Sequence, residues 1–220
     1  MLFKEISFLV KKEIALEIRQ KYAFGGLLLY VISTVFICYL SFKRVVDPPV
    51  YVALFWIILL FAAVNAVAKS FLSESRGLQL YIYSLANAEA VIVSKIIYNL
   101  LLMLFLSLIT IFFYTLFLGN IIQDMPMFIL SIILGSFGFS SVLSMVSAIA
   151  SKANHNVTLM AILSFPILIP LLMTVVKFSK NAVDGLDWSV NYQYMVMLIG
   201  LNVIVIALAY ILFPYLWRNE

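Results

Sequence analysis

The chain has 220 residues, of which 65% are hydrophobic and 11% are charged, and its mean hydropathy is +1.13. A soluble domain carries about 25% charged residues, so this composition excludes a water-soluble fold and sends the apolar excess to lipid. The formal charge of +4 sits at the ends of apolar runs, which makes it a topology signal rather than a nucleic-acid footprint.

At about 20 residues per span, the length allows six membrane helices and no separate soluble domain. The predicted class is therefore an all-α integral membrane protein, with residues 1–220 forming a single transmembrane domain. Residues 1–22 are expected to form an amphipathic helix lying in the membrane interface. Leu2, Ile6, Val10, Ile14 and Ile18 recur every fourth residue, while Lys4, Lys11, Lys12, Glu13, Glu17, Arg19 and Lys21 occupy other faces. The charges of this segment, Glu5 among them, also argue against a cleavable signal peptide.

The first span is predicted over 24–42 and the second over 50–68, with Lys43, Arg44, Asp47, Pro48 and Pro49 between them. A polar stretch over 69–90 follows. The third span, 91–118, carries Lys95 near its start, where a long side chain is expected to snorkel to the interface. A turn with Asp124 leads into the fourth span, 127–150. Residues 151–156 form a tight polar loop, the fifth span covers 157–176, residues 177–191 form a second sizeable loop, and the sixth span covers 192–216.

With the N-terminus inside, the inner segments hold ten of the Lys and Arg residues and the outer loops four: Lys43, Arg44, Lys177 and Lys180. Both termini are therefore expected in the cytoplasm. All four Asp fall outside on this topology and all six Glu inside. Trp188 and Tyr192 outside, and Tyr215 and Trp217 inside, suit the two aromatic belts.

The chain lacks a Gly-x-x-x-x-Gly-Lys-Ser/Thr sequence, so it does not bind ATP through a P-loop. One His, His155, and one Cys, Cys38, cannot supply a multi-ligand metal site. His155 as an axial haem ligand competes with a plainer role as a loop residue. Few ionisable residues lie within the spans, which disfavours a proton-coupled carrier or an ion channel. Asn65 and Asn202 are expected to make interhelical hydrogen bonds. No paired carboxylates or Ser/His constellation supports a membrane-embedded enzyme.

Three features carry the remaining signal. Ser136, Ser140, Ser144 and Ala148 are spaced by four on the fourth span and form a small-residue packing face, for intrachain helices or for another subunit. Phe165, Pro166 and Pro170 lie in the fifth span, where two prolines one turn apart should kink the helix and free the carbonyls of Ile162 and Pro166. The 69–90 loop contains Phe71, Glu74, Gly77 and Leu78. It reads either as a solvated connector or as a surface helix that takes up force from a soluble partner.

Together these residues resemble the permease subunits of ABC-type exporters, and within them the CcmB family of the cytochrome c maturation system. Phe165 to Leu171, FPILIPL, is similar to that family's Phe-Pro-Leu-x-Ile-Pro-Leu motif in the fifth span. Phe71, Glu74, Gly77, Leu78 and Lys95 fit its second inner loop, although Leu85-Ala86 replaces a common Pro and Gln79 a common acid. The resemblance implies a non-catalytic membrane subunit in a bacterial inner membrane. It also implies a separate CcmA-like ATPase that binds the ATP, CcmC-like and CcmD-like membrane partners, a CcmE-like haem chaperone, and haem as cargo of the complex rather than as a resident cofactor. An ABC permease for another substrate, such as a lipid or drug, is the alternative; neighbouring genes for a haem lyase and a thioredoxin-like protein separate the two.

Overall fold

The computed structural model describes residues 2–19, 21–42, 46–67, 71, 82, 85–152 and 157–218. Among them the regular structure is entirely helical: α1 (Leu2–Arg19), α2 (Lys21–Phe42), α3 (Pro48–Val67), α4 (Ala88–Leu118), α5 (Met125–Lys152), α6 (Val157–Val183) and α7 (Trp188–Arg218). Helices α2 to α7 are each long and apolar enough to cross a membrane. The expected Glu74, Gly77 and Leu78, together with Lys43, Arg44 and His155, lie outside the described residues.

Helix α5 is the axis of the bundle. Its apolar stretch is 72% buried, against 22% for α2 at the periphery, and it packs on α3, α4, α6 and α7. Small residues make this crowding feasible. Ser136, Ser140 and Ser144 are fully buried and Ala148 nearly so, so the predicted small-residue face packs within the chain. At Gly135 and Gly138 neighbouring side chains occupy the space that a Cβ would fill. The Trp56 indole of α3 covers Gly135, and Leu171 of α6 covers Gly138. Trp56 is held there by its indole N–H, which donates to Ser179 Oγ of α6 at 2.8 Å.

One end of the bundle carries Asp47, Asp124, Asp184 and Asp187. There the Tyr114 hydroxyl donates to the Tyr51 carbonyl at 2.9 Å. The Asp124 amide donates to the Ala182 carbonyl at 3.0 Å. Asn181 donates to Asn191 Oδ1 at 2.8 Å. These bonds join α3 to α4 and α5 and α7 to α6. The rings of Tyr51, Phe55, Trp56, Tyr114, Phe128 and Phe139 form a continuous cluster of edge-to-face contacts, with Phe128 tilted against Phe55, just inside.

Two expectations need correction. The sizeable loop over 177–191 shrinks to four residues, because α6 runs to Val183 and α7 starts at Trp188. Polar Lys177, Lys180 and Asn181 do not end the helix: Lys180 pairs with Asp184 one turn on, and a helix that has left the hydrocarbon can wet those side chains. Gly185 at φ 69° ends the run, and the Leu186 amide returns to the Asn181 carbonyl at 3.0 Å, closing a left-handed helix terminus. The second correction concerns α1. A four-residue step advances about 40° beyond a full turn, so its apolar stripe winds around the helix. Ile6 and Val10 are half-buried, while Leu2, Ile14 and Ile18 are exposed.

Gly135→Val inserts a branched side chain where the Trp56 ring already lies. We expect it to destabilise the bundle by about 1–3 kcal/mol, read as a lower thermal midpoint in detergent. Gly200→Ala, where a Cβ would meet open space, serves as the control and should leave the midpoint unchanged.

Candidate coupling site at the terminal end

The end opposite the Asp loops brings together α1, α4, α7 and the start of the 69–90 segment. Helix α4 has 31 residues, about 46 Å at 1.5 Å per residue, which exceeds the roughly 30 Å of a hydrocarbon core. The helix is thus longer than a straight crossing needs, and α1 packs against its first turns.

The carboxylates of α1 make the joint. Asn87 Nδ2 donates to Glu5 Oε2 at 3.1 Å, Lys95 Nζ lies 3.1 Å from Glu13 Oε2, and the Tyr98 hydroxyl donates to Glu17 Oε2 at 2.9 Å. The sequence separation is nearly constant, 82 residues for the first contact and 81 for the last. Constant separation means that α1 runs parallel to the first three turns of α4. Phe24 and Phe105, whose ring centroids are 5.5 Å apart, and Phe36 and Phe117, at 5.6 Å, carry the same register up α2.

Lys95 is the centre of this arrangement. The expected snorkelling does not occur: its side chain is 3% exposed, and that of Glu13 is 12% exposed. An ammonium group loses much hydration at that depth. Glu13 supplies the opposite charge, and the Phe71 ring lies under Nζ at 5.2 Å to its centroid. Phe71 in turn packs on Phe213 of α7 at 5.6 Å. Thus Phe71, the one described member of the predicted coupling group, is gripped by a cation from α4 and a ring from α7. The Ala86 amide donates to the Ile82 carbonyl at 3.0 Å, just before Asn87 and the start of α4.

The other predicted residues lie elsewhere. Ser136, Ser140, Ser144 and Ala148 line α5, and Asn99 of α4 donates to Ser144 Oγ at 2.8 Å. Phe165, Pro166 and Pro170 lie within α6, which continues as helix through both prolines. Phe165 and Pro166 are exposed on its outer side, while Ser164, Leu168 and Leu171 face inward. Of the two asparagines expected to bridge helices, Asn202 does so, donating to the Leu134 carbonyl at 3.1 Å. Asn65 bonds the Phe61 carbonyl of its own helix. The sequence reading missed Asn99 and the pairing roles of Glu5, Glu13, Glu17, Asn87 and Tyr98. An acid every fourth or eighth position on α1, facing a lone Lys in an apolar helix, was the available signal. Among the described residues no three His, Cys, Asp or Glu converge as a metal site would require.

This geometry defines a class: a multi-pass helical membrane protein with a charged joint between helices at one end of its bundle. A family model described as CcmB protein matches residues 4–216, and the chain belongs to that family, the ABC-type permease subunits of haem and cytochrome c maturation. No curated protein matches it closely enough to count as a relative.

Lys95→Met leaves the Glu13 carboxylate in a packed joint. We expect a loss of about 3 kcal/mol, at the low end for a buried pair because Lys12 Nζ also lies 3.2 Å from Glu13. Adding Glu13→Gln should recover part of that loss. The thermal midpoints of the two variants provide the check.

Proposed function

We propose that the chain is the membrane subunit through which a separate CcmA-like ATPase drives haem handling. On this reading ATP hydrolysis is coupled to haem export or to release of a haem-loaded CcmE-like chaperone, with CcmC-like and CcmD-like subunits alongside. Haem is cargo of the complex, and ATP stays on the partner. The terminal end faces the cytoplasm of an inner membrane, where the larger share of the basic residues falls.

The observation that carries this reading is the grip on Phe71. The 69–90 segment is the longest connection at the terminal end, and Phe71 ties its start to α4 through Lys95 and to α7 through Phe213. A push on this segment reaches two membrane helices directly. Its other end runs into α4, which packs on α5. Glu74, Gly77 and Leu78 belong to the surface that the ATPase engages. The prolines of α6 serve as the compliant point: each lacks the amide proton that would stiffen the preceding turn.

Replacing Glu74 with Lys and Gly77 with Trp in the assembled complex should leave ATP hydrolysis running while release of haem-loaded chaperone falls about ten-fold, within the usual span of coupling energies. Full release at normal ATP cost would refute the coupling role. Pro166→Ala combined with Pro170→Ala should preserve membrane insertion yet lower the yield of mature cytochrome c; a wild-type yield would remove the hinge from the mechanism.

A further inference from the structure

Helix α7 buries one stripe: Leu198, Asn202, Val205, Ala209 and Phe213. Its middle is fixed to the axis of the bundle. Asn202 lies over Gly138 of α5 and donates to the Leu134 carbonyl at 3.1 Å. The last residue of the stripe, Phe213, meets Phe71 at 5.6 Å between ring centroids. Pro214 follows it inside the helix. Proline has no amide hydrogen for the Tyr210 carbonyl four residues back, and its ring crowds that carbonyl. This turn therefore lacks a main-chain bond at the point where Phe71 makes contact. Tyr210, Ile211 and Leu212 are exposed, so the turn is supported from one side only. Prolines are where helices bend.

We propose that residues 210–218 of α7 form an arm, hinged at Pro214, that follows Phe71 while the body of α7 stays docked on α5 through Asn202. This inference rests on the coupling role of the 69–90 segment and names the residues that divide its load. Phe71 has two grips of different stiffness. Lys95, 5.2 Å from the Phe71 ring, belongs to a helix with neither proline nor glycine, so a displacement there moves α4 as a rod. Phe213 stands within the hinge, so the same displacement bends the end of α7 and leaves Asn202 seated. Phe213 is thus a positioning residue. It keeps the Phe71 ring against Lys95 while its own helix yields, and the load passes to α4.

The test uses the assembled complex with its ATPase. Amide hydrogen exchange over 210–218 should be about five-fold faster in Phe71→Ala than in the wild type, the change in a local opening equilibrium that one aromatic pair produces. Exchange over 198–208 should not change. Pro214→Ala returns an amide hydrogen to the Tyr210 carbonyl. It should slow exchange in the arm, keep the thermal midpoint, and lower chaperone release per ATP hydrolysed about five-fold. Phe213→Ala should lower the same ratio, and Phe213→Tyr, which keeps the ring, should restore it. Val203→Ala, exposed on the body of α7, should leave exchange and release alone. Unchanged exchange over 210–218 in Phe71→Ala would overturn the arm, whatever the coupling does. Faster exchange along all of α7 would also overturn it, because the body would then move with the arm. Wild-type release per ATP in Pro214→Ala, with the Glu74 and Gly77 replacements still uncoupling release, would overturn this division of load and leave the coupling role standing. Wild-type release in all of these variants would remove both.

Discussion

The bundle depends on how closely four helices can approach α5. In lipid there is no difference in hydrophobicity between the outside of a helix and its neighbour, so packing must come from contact and from bonds between helices. Helix α5 meets that constraint with Gly135, Ser136, Gly138, Ser140 and Ser144, which extend little beyond Cβ. Into this shallow surface fit Trp56 of α3, Leu171 of α6 and Asn202 of α7. Several of the serine hydroxyls on α5 are paired, while those of Ser136 and Ser147 have no partner among the described residues. Those of Ser140 and Ser141 donate back to the carbonyls of Phe137 and Gly138, and that of Ser144 accepts from Asn99. Ser140 and Ser144 thus provide both clearance and satisfied polarity.

With the interior of the bundle closed in this way, charge is left to the ends, and the two ends use it differently. Three of the four Asp residues immediately precede helices: Asp47 before α3, Asp124 before α5 and Asp187 before α7. Short acids suit that position, because the carboxylate can reach amides of the first turn and complement the helix dipole. Asp124 Oδ1 accepts from the Met127 amide at 3.0 Å. These are the helices that begin at one end of an up-and-down bundle, which accounts for Asp gathering there. Glu, with one more methylene, is a poorer cap and a better bridge. On α1 it spans the gap to Asn87, Lys95 and Tyr98.

The six spans were legible because mean hydropathy depends only on composition over a window, and no tertiary contact reverses it. The small-residue face was legible because its four-residue spacing matches the short arc it covers. The same spacing misled on α1, where five residues over four turns wind too far to share a face. Lys177, Lys180 and Asn181 misled for another reason. Polar residues mark where lipid ends, but a helix stops only where its backbone does, here at Gly185. The Glu13–Lys95 pair was the least legible. Read along the chain, each is a charge beside an apolar segment, free to reach water. Only the parallel register of α1 on α4 makes them partners, and register is a property of two elements that neither one carries alone.

That register also sets how the molecule can respond to force. At the Asp end the described bonds include backbone donors and acceptors: Asp124 to Ala182, the Tyr114 hydroxyl to the Tyr51 carbonyl, and the Tyr51 hydroxyl to the Gly119 carbonyl just past α4. At the terminal end the joint is made by the tips of Glu, Lys, Asn and Tyr side chains. Long side chains can follow a displacement by rotamer adjustment, whereas a backbone bond of fixed geometry must hold or break. A load applied near Phe71 therefore meets its compliant connections first. The rigid aromatic cluster around Tyr51, Phe55 and Tyr114 lies at the far end of the same helices. On the proposed coupling, a bundle clamped at one end and sprung at the other converts a small push into tilt of its helices.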